Sequence, residues 1–96
     1  MKVSMQRFGW SPDVLFRSAG PDVLVAPPDG DEFELLSGTA GVVWRLLETP
    51  TTIAELVDVL AELYGTTAET VAADVRPLID ELMERGLIRP APEGDA

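Results

Sequence analysis

Between Asp31 and Leu47 the chain changes its hydrophobic rhythm. Asp31-Glu32-Phe33-Glu34-Leu35-Leu36 alternates like a strand, with Phe33 and Leu35 on one side and Glu32, Glu34 and Leu36 on the other. After the small-residue turn Ser37-Gly38-Thr39-Ala40-Gly41, the apolar residues Val42, Val43, Leu46 and Leu47 recur at helical spacing, with Trp44 beside them. Periods of two and of about 3.6 residues cannot share one element, so the switch at Ser37 divides the chain into an extended half and a helical half.

The extended half contains two further short runs rich in β-branched and apolar residues, Asp13 to Arg17 and Asp22 to Ala26, separated by Gly20-Pro21 and by Pro27-Pro28-Asp29-Gly30. Pro presets φ for a turn and Gly accepts positive φ, so these joints predict tight turns and an antiparallel pairing of three strands. Both faces of the first two runs are apolar, which predicts a sheet covered by helices on one face and partly on the other. Residues 1–12 show no period and are expected to lie over the domain as an arm or a weak strand, with Phe8 and Trp10 as its large apolar groups.

Three helices are expected after the switch. Ser37 is a candidate N-cap for the first, and Pro50 biases Thr49 away from helix and so closes it. Thr52-Ile53-Ala54-Glu55 is a capping box for the second, which should bury Ile53, Leu56, Val57, Leu60, Leu63 and Tyr64 and stop at Gly65. Thr66-Thr67-Ala68-Glu69 reads as another capping box, opening a third helix that runs to Gly86. Its main stripe is Val71, Val75, Leu78 and Leu82, with Ala72, Ile79 and Met83 flanking it around Arg76. Pro77 falls on the polar face, where a gentle kink is expected. Leu87 and Ile88 should fold back as an apolar plug. Residues 13–89 then form one α+β unit of winged helix-turn-helix-like outline, a three-stranded antiparallel sheet followed by three helices, with residues 90–96 as a flexible tail.

Composition narrows the function. The 96 residues suffice for one modest core, and their 46% hydrophobic content is ordinary for a globular chain. There is no Cys and no His, which removes thiolate and imidazole catalysis, disulfides and nearly all transition-metal sites. Seventeen acidic against seven basic residues give a net charge of −10, which repels phosphate backbones and anionic membranes. A winged helix can read DNA, but here the third helix carries Glu69, Asp74, Asp80, Glu81 and Glu84 against Arg76 and Arg85. The acids occupy positions the apolar stripes leave free, as solvated faces do, so no glycosidase-like pair is indicated. Asp29, Asp31, Glu32 and Glu34 lack the alternating ligand spacing of a calcium loop, and Ser37-Gly38-Thr39 lacks the Asp-Ser-Leu of a carrier protein. Nothing resembles a signal peptide or a membrane span, and a cytoplasmic, cofactor-free, non-catalytic protein is the expectation.

What remains is the edge of the strand Asp31 to Leu36, whose unpaired N–H and C=O groups could accept an extended peptide. Spacing alone fits better an edge that is merely protected by its own charges.

A resemblance bears on that choice. Leu35-Leu36-Ser37-Gly38-Thr39-Ala40-Gly41-Val42-Val43-Trp44-Arg45-Leu46-Leu47 resembles the LLNxTGAxIWxLL signature of PqqD-like proteins, the peptide chaperones that are the prototype of the RiPP recognition element. Pro12 to Arg17, Thr52 to Gly65 and Asp74 to Ile88 continue the resemblance in order, over about residues 11–89. Ser37 stands for the usual Asn, Ala40-Gly41 inverts the usual Gly-Ala, and Pro77 replaces a helix former. The resemblance implies a domain that binds the leader of a ribosomally made precursor peptide and presents it to a modifying enzyme, such as a radical SAM enzyme, a cyclodehydratase or a leader protease. It implies backbone pairing along Asp31, Glu32, Phe33, Glu34, Leu35 and Leu36, and a groove lined by Arg76, Ile79, Asp80 and Met83. Ile79 and Met83 fit the core equally well. The alternative is a structural module of the same fold that pairs with itself through the sheet edge as a homodimer.

Overall fold

The computed structural model describes residues 6–28, 30 and 32–91. In chain order the elements are β1 (Arg7–Trp10), β2 (Leu15–Ala19), β3 (Asp22–Ala26), β4 (Glu34–Leu36), α1 (Thr39–Leu46), β5 (Thr51–Thr52), α2 (Ile53–Tyr64), α3 (Ala68–Glu84) and β6 (Ile88–Pro90). The expected three-stranded antiparallel sheet is present in the order β2-β3-β4 and is followed by three helices. Val23 pairs with Leu36 and Val25 with Glu34, while Leu24 pairs with Leu35. Val23, Val25 and Leu36 are buried, so that side of the sheet faces the helices and Leu24 and Leu35 face outward.

A second sheet, β5-β1-β6, was not foreseen. Its central strand comes from the stretch expected to be an arm or a weak strand. Phe8 stands opposite both Thr51 and Pro90, and Trp10 opposite Ile88. The physical reason is Trp10: its indole stacks on Trp44 with ring centroids 5.2 Å apart, and its Nε1 donates to the Trp44 carbonyl at 3.0 Å. Phe16 closes against Trp10 at 4.4 Å. The described part of the N-terminal stretch is therefore built into the core. Leu87 and Ile88 are buried as expected, but Ile88 continues into a strand that ends at Pro90, which sits on a sheet edge where a missing N–H is tolerated. The expectations for residues 1–5 and for most of the tail, 92–96, fall outside the described residues.

The helices differ from expectation at their ends. Gly38, not Ser37, is the N-cap of α1, and no side chain caps it. Its φ of 59° and ψ of −133° are strained for residues with a Cβ, and its carbonyl accepts from Gly41 N and Val42 N. Gly41 is needed for a different reason: a Cβ there would lie 3.1 Å from the Leu36 carbonyl, so glycine lets α1 sit directly on the end of β4.

The α2 capping box forms as written, with Thr52 Oγ1 accepting from Glu55 N at 3.1 Å and the Glu55 carboxylate accepting from Thr52 N at 3.2 Å. Leu63 and Tyr64 were expected to be buried with Leu56, Val57 and Leu60, yet they are 60% and 48% exposed, because the last turn of α2 runs past the elements that cover the rest of its stripe. The second box shifts by one residue. Thr66 N completes the end of α2 by donating to the Ala61 carbonyl, so Thr67 becomes the cap of α3 and accepts from Thr70 N at 3.2 Å. Pro77 is exposed as expected. Along α3 the buried residues are Val71, Val75, Ile79 and Leu82. Ile79 takes the core position the sequence reading gave to Leu78, which is only partly buried.

Candidate functional site

The open edge of the first sheet is β4. It is shorter than the expected run: only Glu34–Leu36 is strand, Glu32 and Phe33 precede it as irregular chain, and Asp31 lies outside the described residues. β4 pairs with β3 on one side, and no strand pairs with its other side among the described residues. The outward side chains beside that edge are Phe33 and Leu35, 55% and 52% exposed. Two apolar side chains standing that far into solvent at spacing two form a surface that a partner could cover.

The position of β4 is set from both ends of the turn that follows it. Leu36 is buried at 5% exposure, and the Gly38-to-Gly41 turn locks the strand end onto the first turn of α1. On the helix-facing side Glu34 reaches α3, where its carboxylate pairs with the Arg85 guanidinium. Arg85 also donates to the Glu81 carboxylate at 2.7 Å, one turn back along the helix. The hydrogen bond and charge of Glu34, reinforced by Glu81, hold the Arg85 guanidinium above its ordinary pKa. The pair joins the C-terminal end of α3 to the free strand.

That contact fixes which flank of α3 looks toward β4. At about 100° per residue, Asp74, Leu78, Glu81 and Arg85 form one stripe. Asp74 also shares a cleft of about 200 Å³ with Thr39, at the start of α1, and with Tyr64 and Thr70. The residues carried over for the groove lie elsewhere. Ile79 is 1% exposed and belongs to the core. Arg76, Asp80 and Met83 fall roughly 130 to 180° round the helix from the stripe that meets β4, on the opposite side of the buried stripe. Arg76 lines a different cleft, of about 340 Å³, between α2 and α3, with Ile53, Ala54, Val57, Asp58, Ala68, Glu69 and Ala72. Of the expected site residues, the structure thus brings together Glu34, Leu35 and Leu36, with Glu32 and Phe33 leading into them, and separates them from Arg76, Ile79, Asp80 and Met83. Arg85 is the helix-end side chain that meets β4, and Glu81 and Leu78 share its face of α3. The sequence signal for them was the Glu81–Arg85 spacing of four, which puts an acid and a base on one helix face.

Among the described residues no set of three or more acidic side chains is placed to hold a metal, and no helix is long and apolar enough to cross a membrane.

Comparison with known proteins places these features in a family. No curated protein is significantly similar to the chain. A solved structure, TbiB1 in complex with the TbiA(beta) leader peptide, is similar in fold: TM-score 0.77 at 24% identity, covering 92% of this chain and 98% of that one. The family model of coenzyme PQQ synthesis protein D matches residues 23–88, from β3 through both walls around β4 to the first residue of β6. The chain belongs to the PqqD family.

Proposed function

We propose that this domain is a non-catalytic adaptor that takes up the leader segment of a ribosomally made precursor peptide as an added strand on β4 and presents it to a modifying enzyme. The observation that carries the reading is the unpaired β4 edge beside the Leu78–Glu81–Arg85 flank of α3, in a chain of the PqqD family. Main-chain hydrogen bonds to β4 supply affinity that any extended peptide can use, and side chains along the two walls supply selection. Because side chains alternate along a strand, one set of leader residues covers Phe33 and Leu35 on the outer face. The other set enters between Leu36 and the α3 flank. The solved relative supports the reading, since TbiB1 is seen with a leader peptide.

Self-pairing through the same edge is the competing reading. A net charge of −10 on each copy opposes it. One experiment separates the two: amide hydrogen exchange and sedimentation of the purified domain, with and without the leader of the precursor encoded beside its gene. Saturable binding to a monomer, with slowed exchange at Leu35 and its neighbours, is expected. A dimer that the leader fails to dissociate, or protection confined to other surfaces, would refute the proposal.

A further inference from the structure

The walls of the β4 edge are chemically lopsided, and this deepens the reading above by specifying the peptide. Glu34 comes from the strand side and Glu81 from the helix. Against these two carboxylates stands one guanidinium, Arg85, shared between them, so the cluster keeps a net negative charge. Leu36 and Leu78 supply the apolar part of the same side. Glu34 pairs with Val25, whose side chain is fully buried, so the Glu34 carboxylate lies on the helix-facing side of the sheet.

We infer that the peptide class accepted at this edge carries a lysine or arginine at the position that stands beside Glu34, two residues from an apolar side chain that stands beside Leu36. The register follows from strand geometry. The neighbour of Glu34 on an added strand points to the same side of the sheet as Glu34, and the residue two places along points there too, beside Leu36. The sign follows from the local charges. A basic side chain takes one oxygen of Glu34 while Arg85 keeps Glu81, and both carboxylates then have a counter-charge. An acidic side chain in the same place meets a guanidinium whose partners are already in place, and it adds a third carboxylate to the other two. Charge of one sign across an interface rejects wrong partners more than it strengthens right ones, so the effect is one of selection.

The inference rests on the edge-binding reading, and the test keeps the two apart. A displayed library of random peptides is selected on the purified domain, and the enriched sequences are synthesised, titrated by fluorescence anisotropy and mapped by amide exchange. The expected result is protection of β4 by peptides that carry Lys or Arg two residues from an apolar residue. Replacing that base by Glu should weaken binding about tenfold. The double variant Glu34→Gln/Glu81→Gln, whose side chains keep their shape, should bring the basic peptide and its Glu counterpart to within about twofold of each other. Peptides that protect β4 but show no basic position, or that tolerate the Lys-to-Glu change, would overturn the charge inference and leave the edge reading standing. Selected peptides that protect only surfaces away from β4 would overturn both.

Discussion

Ile79 separates two accounts of α3, and the substitution Ile79→Ala tests them. If Ile79 lined a peptide groove, truncation would cost binding and little stability. The structure puts its side chain at 1% exposure among Val71, Val75 and Leu82, so the cost should fall on the fold. Isoleucine to alanine removes three carbons; at about 0.8 kcal/mol each, the transfer loss is about 2.4 kcal/mol, and the residual cavity raises it to about 3 to 4 kcal/mol. For a domain of this length each kcal/mol lowers the melting temperature by about 4 to 8 °C, so a fall on the order of 15 °C or more is expected. Urea denaturation followed by circular dichroism measures the change, with Arg76→Ala as the exposed comparison, expected within about 0.5 kcal/mol of wild type. Below its transition, Ile79→Ala should hold leader peptide within about twofold of the wild-type affinity, because α3 keeps Leu78, Glu81 and Arg85 on the flank toward β4. A loss of less than about 1 kcal/mol in stability together with abolished binding would refute the placement of Ile79 and restore the groove on that side of the helix.

Two other substitutions probe how β4 and the helices are held. Thr52→Ala removes the side-chain half of a capping box whose threonine is 4% exposed, and should lower stability by about 1 to 2 kcal/mol in urea denaturation with leader affinity unchanged. Gly38→Ala forces a Cβ into φ 59°, ψ −133°, and should cost about 1 to 3 kcal/mol by the same measurement. Its additional signature is faster amide exchange in β4 and the first turn of α1.

Local chemistry made much of this fold legible. The Thr52–Glu55 capping box, the stop at Gly65 and the strand Asp22–Ala26 depend on residues within a few positions of each other, and there the reading and the structure agree; the strand before it runs over Leu15–Ala19, two residues later than the expected Asp13 to Arg17. Trp10 shows what stays hidden. Nothing near it in sequence says that its partner is Trp44, 34 residues away, so a central strand read only as an arm or a weak strand lying over the domain. The α3 stripe shows a subtler limit. Leu78 and Ile79 are adjacent apolar residues about 100° apart on the helix, and either completes a plausible stripe with Val71, Val75 and Leu82. What decides between them is the placement of β4 and α2, which periodicity does not encode. The groove that the resemblance implied, Arg76, Ile79, Asp80 and Met83, shares this difficulty: Ile79 lies in the core, and the helix residue that meets β4 is Arg85. The strand side needed no such choice. Phe33, Glu34, Leu35 and Leu36 sit next to the period switch, and alternation sorted them onto two sides; that Phe33 and Leu35 are the outer pair follows only from the pairing of β4 with the buried residues of β3.

The way the two walls are anchored bears on how a peptide could enter between them. β4 is tied to β3 along its length and to α1 through the carbonyl of Gly38, with Gly41 seated on the Leu36 carbonyl. α3 is fixed at its start by the Thr67 cap and at its end by the Leu87 N–H donating to Leu82, after which Ile88 joins the second sheet beside Trp10. That sheet also carries Thr51 and Thr52, which lead into α2, so the unforeseen strand β1 holds the start of α2 and the end of α3 in one frame. The only side-chain link seen across the opening among the described residues is Arg85 to Glu34, between two groups that are 43% and 38% exposed. Exposed ion pairs are weak and exchange partners readily, so on the proposed reading a peptide would displace the Arg85–Glu34 pair by rotamer changes at those two residues. With β4 already paired to β3, the larger ordering cost would then be that of the peptide itself.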